Sequence, residues 1–328
     1  MKKSITLLLI TILSIFTLSG CGNANISYDG RYWYNDATAT SNILEEITYD
    51  VKVVNKTPSD STEVKNSNIA LVLDEGTYTT TLVKEGDNYK YTTSLKIKGN
   101  YVYGDKSQIV NDDLTSTTIF TVADLKVISS CKKSTSTTTL VSTNDKFTFV
   151  NYGYEYFVNY EGENASAKFT ATYGDNEPTT LSKTFKDYSD SPYIDNELLL
   201  FMPRAFKIKD KESFNLNFST IDAISQKLTK MSYTTISNQN TAIDVKTFDF
   251  YYDNVINEER IINQENKLEA VKVTLAIDDT YKGSPIELYY ATNHLQDRHR
   301  LVKAYTSLSV DLGYLEYTIK SANTKTNF

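Results

Sequence analysis

Few side chains in this sequence are of types and spacings that could do chemistry. Histidine occurs twice, as His294 and His299 in Asn-His-Leu-Gln-Asp-Arg-His-Arg. A five-residue separation on a turn between strands is not a metal-ligand spacing, so the pair reads as a solvated hairpin tip. Adjacent carboxylates occur at Asp112-Asp113, Glu258-Glu259 and Asp278-Asp279. Two acids at the right separation hydrolyse glycosides, but neighbours in sequence read first as solvated turns. No acidic run has the alternate-position pattern and central glycine of a calcium loop. No Gly-x-Ser-x-Gly elbow, phosphate loop or dinucleotide fingerprint is present. Cysteine occurs twice, at Cys21 and Cys131. Cys131 lies in the strand-like run Leu125–Cys131 and reads as a buried, inert thiol. These residues imply no catalytic group, no metal and no cofactor, and the chain is expected not to be an enzyme.

Cys21 is different, because its surroundings give it a role. Lys2 and Lys3 form a positive start, Ile5 to Leu18 an apolar run, and Leu18-Ser19-Gly20-Cys21 the break. A charged start, a short apolar run and small residues describe an export signal. The run has about 14 residues, short of the ~20 that span a bilayer. The Leu-Ser-Gly-Cys box resembles the bacterial lipoprotein signal. That resemblance implies cleavage between Gly20 and Cys21 and a diacylglycerol on the Cys21 thiol. Acyl chains contribute ~0.8 kcal/mol per buried CH₂, and more than one chain holds a protein at a membrane. The implied address is the extracytoplasmic face of the cell membrane, with the lipid anchor as the membrane contact. A lipidated Cys21 leaves Cys131 with no partner for an intramolecular disulfide.

The 328 residues carry 34 basic and 41 acidic groups, a formal charge of −7. Without Lys2 and Lys3 the balance is 32 against 41, or −9. An acidic body lacks the basic face that a nucleic acid requires, so no nucleic-acid partner is expected.

The elements that position these residues read as strands. Tyr (25) and Phe (14) are abundant and suit a pleated, half-buried surface. Alternating runs are expected at Ile47–Val54, Thr77–Val83, Tyr89–Ile97, Thr117–Val122, Leu125–Cys131, Lys146–Asn151, Tyr154–Tyr160, Ala167–Tyr173 and Leu181–Phe185. Glu85–Asn88, Lys98–Asn100, Gly174–Asn176 and Lys282-Gly283 read as the turns between strands. Towards the end, Ile286, Leu288 and Tyr290 alternate with Glu287 and Tyr289, as in a sheet covered on one face. Tyr152, Tyr154 and Tyr156 share a strand face, as do Phe248, Phe250 and Tyr252. Such stripes stack on sugars, line a lipid cavity or pair within a core. One segment breaks the pattern. Ser191–Phe206 reads as a short central helix, with Ser191 as cap, Pro192 at the first position and Pro203 ending or kinking it. Ile221–Lys230 is a weaker helix candidate.

The order of opening strand, hairpins, central helix and closing hairpins resembles a group of bacterial envelope proteins of unknown function whose fold is similar to LolA and LolB, the lipoprotein carriers. The resemblance implies a mainly β fold, a curved antiparallel sheet forming an open half-barrel with one short helix in its concave face. It also implies an acyl lipid or another apolar ligand on that face; the ligand-binding residues stay unknown. The expected organisation is a signal peptide over 1–20, a lipidated N-terminus and tether over 21–45, the half-barrel over 46–320 and a tail over 321–328. Two roles follow from this reading. One is an apolar-ligand binder, which needs an unfilled concave face. The other is a non-catalytic structural or interaction protein of the envelope, contacting glycan or protein, which needs a filled core.

Overall fold

The computed structural model describes residues 43–326, apart from 67, 144–145, 207–212, 236–239, 254–258, 278–284, 293–298 and 309–311. The segment expected to be a signal peptide, the Leu-Ser-Gly-Cys box with Cys21, and the expected Lys282-Gly283 turn therefore lie outside the described residues. The strands are β1 (Ile43–Val54), β2 (Ala70–Glu85), β3 (Asn88–Tyr103), β4 (Lys106–Thr121), β5 (Val127–Thr143), β6 (Lys146–Glu161), β7 (Asn164–Tyr173) and β8 (Thr179–Phe185). After a long crossing segment come β9 (Phe214–Asp222), β10 (Lys227–Thr235), β11 (Asn240–Asp253), β12 (Glu259–Ile277), β13 (Ile286–Ala291), β14 (Leu301–Ser307) and β15 (Tyr314–Thr326). β1 begins before residue 46, and β15 continues past 320.

A single sheet holds all fifteen strands. Fourteen follow the path β8-β7-β6-β5-β4-β3-β2-β1-β15-β14-β13-β12-β10-β9. Neighbours on this path pair antiparallel. β11 stands off the path, antiparallel to β12 and parallel to the end of β15. The sheet does not close end to end, since β8 and β9 are its terminal strands.

Local chemistry explains most of the register. β7 alternates buried and open side chains along Asn-Ala-Ser-Ala-Lys-Phe-Thr-Ala, with Ala165, Ala167, Phe169 and Ala171 facing inward. Glu85 and Asn88 pair directly across the two-residue turn Gly86-Asp87, where Gly86 takes φ +61°. Hydroxyls meet across strands, as in Thr93–Ser116 at 2.7 Å and Thr170–Thr180 at 3.1 Å.

Four expectations are corrected. Lys98–Asn100 is not a turn but lies within β3. Gly99 is there because a Cβ would sit 2.1 Å from the Val72 carbonyl oxygen of β2. Ile221–Lys230 is a hairpin between β9 and β10, with a turn over residues 223–226. β13 is buried on both faces rather than one, because Thr57 of the loop after β1 covers its outer side and donates to Glu287 at 2.6 Å. The central helix is absent: residues 194–206 form a strap with two short 3₁₀ turns, Asn196–Leu198 and Met202–Ala205. Its bonds run three residues apart, from Leu198 N–H to Asp195, Phe201 N–H to Leu198, Arg204 N–H to Phe201 and Phe206 N–H to Pro203. Pro203 is the reason. In an α-helix its missing N–H would be the donor to the Leu199 carbonyl. The Tyr233 hydroxyl donates to that carbonyl instead, at 2.7 Å, and the Tyr290 hydroxyl donates to Leu200 at 2.9 Å.

The strap also reveals the sheet's shape. Tyr193 bonds Tyr160 of β6 and accepts from the Ile221 N–H of β9. β6 and β9 are eleven steps apart along the strand path. In a flat sheet with strands ~4.8 Å apart that is about 50 Å, so the sheet must curl around the strap.

Candidate functional site

The strap occupies the concave side, and its side chains carry the densest polar chemistry among the described residues. Leu198, Phe201, Met202, Ala205 and Phe206 are all buried. The Phe201 ring lies 4.5 Å from Tyr91 of β3 and 5.8 Å from Phe120 of β4, centre to centre. Phe206 meets Phe214 and Tyr233 on the opposite side. One apolar cluster thus joins the strap to strands from both halves of the sheet.

Two polar nodes fasten the strap. At the first, Asp195 caps the first 3₁₀ turn, its Oδ1 accepting from the Glu197 N–H at 2.8 Å. Its Oδ2 accepts from Ser130 Oγ of β5 at 2.7 Å and from the Tyr160 hydroxyl at 2.5 Å. Asp195 is only 2% exposed, and burial pushes its carboxyl up to about 6. Glu197 accepts from the Tyr156 hydroxyl and from Asn196, and pairs with Lys132 at 3.3 Å. Burial opposes its charge, but the Lys132 ammonium and the Tyr156 hydrogen bond hold it below the ordinary glutamate value. Lys132 is likewise opposed by burial, and Glu197 raises it above its ordinary value.

At the second node the Arg204 guanidinium forks onto Glu45 of β1, Nη1 to Oε1 at 2.6 Å and Nη2 to Oε2 at 3.0 Å. Arg300 adds Nε to Oε2 at 3.1 Å. All three side chains are at most 4% exposed. Glu45 overcomes the burial that would lower Arg204 and raises it above its ordinary value.

One carboxyl held up beside one held down is the arrangement that separates a general acid from a general base. Here every oxygen of both groups is engaged by the chain's own donors. The arrangement fastens a segment to a sheet.

The residues singled out from the sequence do not assemble. His299 is buried rather than solvated, at φ 53°, with its ring 6.3 Å from Tyr290. His294 lies outside the described residues, as do Glu258, Asp278 and Asp279. The side chains of Glu259, Phe248, Phe250 and Tyr252 are also outside them. Asp112 is buried, accepts from the Thr138 N–H at 2.8 Å, and is pushed up to about 6 by burial. Its neighbour Asp113 faces the other way, 3.7 Å from Lys96. The Cys131 thiol is half-buried and raised by that burial. Tyr152, Tyr154 and Tyr156 do share the inner face. Tyr152 packs against Tyr154 and stacks on Tyr173, while Tyr154 meets Phe169. Among the described residues no cluster of three His, Cys, Asp or Glu side chains is placed to hold a metal, and no helix is long and apolar enough to cross a membrane.

Sequence reasoning missed Glu45, Lys132, Asp195, Glu197, Arg204 and Arg300 as a set. The signal for the strap members was three charges inside an otherwise apolar stretch. No family model matches the chain, and neither a curated protein nor a solved structure matches it.

Proposed function

We propose that this chain is a membrane-anchored extracytoplasmic lipoprotein whose sheet domain is a non-catalytic interaction module of the cell envelope. The observation that carries the choice between the two expected roles is the strap. An acyl ligand in the concave face needs that face empty. Residues 194–206 lie where such a ligand would sit, held by two buried polar nodes and an aromatic cluster. The Leu-Ser-Gly-Cys box supports the anchor, with Cys21 as the acylated residue and the cell membrane as the contact. An acidic chain suits a protein or glycan contact better than a nucleic acid.

The anchoring half is tested by growing bacteria that express the full chain with an alkyne-tagged fatty acid. The expected result is label on the chain and recovery in the membrane fraction. Cys21→Ala gives an unlabelled chain that keeps its first 20 residues. Equal labelling of the Cys21→Ala variant contradicts the assignment.

A further inference from the structure

The two terminal strands are treated differently by the fold. The open side of β9 is covered at Ser219 by the chain entering the strap. Ser219 N–H donates to Pro192 at 2.8 Å, Ile194 N–H donates to Ser219 at 3.0 Å, and Tyr193 forms a parallel bridge to Ser219. Among the described residues β8 pairs only with β7, and six of its seven residues, Thr179 to Thr184, are exposed. An open edge presents unpaired backbone donors and acceptors to any extended chain. The usual defences are weak here. No proline interrupts Thr-Thr-Leu-Ser-Lys-Thr-Phe, and its one charge, Lys183, is turned back to the Gln226 carbonyl at 2.9 Å.

The geometry points to β8 as a self-association edge: two copies of the chain pair their β8 strands antiparallel about a two-fold axis through Ser182. The strand's own residues select this partner. Two-fold antiparallel pairing keeps matching faces together, and only the register centred on Ser182 uses all seven residues. On the inner face Leu181 then lies opposite Lys183 of the second copy, and Thr179 opposite Phe185. Like charges do not meet, and Leu181, now 46% exposed, is covered by a lysine stem. On the outer face Thr180 lies opposite Thr184, and the two Ser182 residues face one another. This repeats the hydroxyl pairing used within the sheet at Thr93–Ser116 and Thr170–Thr180. Centring on Lys183 instead would set two ammonium groups face to face.

A seven-residue junction lies at the small end of specific interfaces, below about 1,200 Å², so the dimer is concentration-dependent. This inference gives the interaction module a partner and rests on that reading for the crowding that a membrane anchor provides.

The test uses the full chain with Cys131→Ser, in membranes and again purified in detergent. Ser182→Cys is added and oxidised with copper phenanthroline, and dimer is read on a non-reducing gel. Facing Cα atoms ~4.5–5.5 Å apart are within disulfide reach. The expected dimer forms about tenfold faster than from Ile109→Cys, an exposed control, on the same background. Cys131→Ser alone reads any contribution of Cys21. Adding Thr180→Lys and Thr184→Lys places lysine against lysine. Cross-linking is then expected to fall to the control rate with unchanged thermal unfolding, because both positions are exposed. Cross-linking no faster than the control, indifference to the two lysines, or capture of a different protein in place of the dimer each overturns the proposal. Failure here with intact fatty-acid labelling of Cys21 removes the dimer and leaves the anchor.

Discussion

Among the described residues, Asp195 and Asp112 are carboxyls whose burial leaves a readable thermodynamic trace. Each is raised from an ordinary value near 3.8 to about 6 in the folded chain. The folded state therefore holds these protons more tightly than the unfolded state does. Stability is expected to be greatest below pH 4 with respect to these groups and to fall as pH rises from 4 to 6. At ~1.4 kcal/mol per pH unit of difference, each contributes a loss of roughly 3 kcal/mol. Glu197 runs the other way but acts lower, because its folded value lies under the ordinary one. Asp195→Asn keeps a neutral acceptor for Ser130 and Tyr160, so urea unfolding of this variant should lose about half of the slope between pH 4 and 6. An unchanged slope contradicts the assignment of Asp195 as one of the two groups. The second node makes a stronger demand. Glu45→Gln leaves two guanidinium groups without their shared carboxylate and is expected to cost ~3–5 kcal/mol in the same experiment. None of this was readable locally. Glu45 meets Arg204 and Arg300 across separations of 159 and 255 residues. His299 and Arg300 sit in a charged run that reads as solvent-facing until that pairing is known.

At the scale of elements, the strands were legible because their signal is local. Alternation in β7 and the Gly86-Asp87 turn follow from side-chain type and backbone preference alone. Three misreadings share one cause, since each depends on a segment distant in the sequence. Gly99 looked like a turn residue, but it marks the approach of the Val72 carbonyl. Gly99→Ala drives a methyl into the β2 backbone at Val72 and Leu73. It is expected to cost more than the ~1 kcal/mol of an ordinary substitution, whereas an exposed turn such as Gly86, with open space around it, should respond only through its φ. Differential scanning calorimetry of the Gly99→Ala variant checks this, and an unchanged melting temperature contradicts it. The strap has the composition of a helix, but Pro203 withholds one donor and Tyr233 supplies the replacement. The covered outer face of β13 was invisible because its cover, Thr57, comes from a loop 230 residues earlier.

For the whole molecule, a long antiparallel sheet curled around its own connecting segment accounts for the burial. Tyr91, Tyr233 and Tyr290 reach the strap from well-separated strands, the first through the Phe201 ring and the others through the Leu199 and Leu200 carbonyls. In the proposed reading the strap takes the place that a carrier's cup leaves for a guest. The account stands or falls on that filled interior. The most direct test is native mass spectrometry of the full chain purified from membranes, followed by organic extraction of whatever it releases. The expected result is one protein mass that includes covalently attached lipid, with no acyl lipid released in proportion to the protein. A non-covalent acyl lipid, bound one to one and freed by solvent, would contradict the account and return the concave face to a ligand.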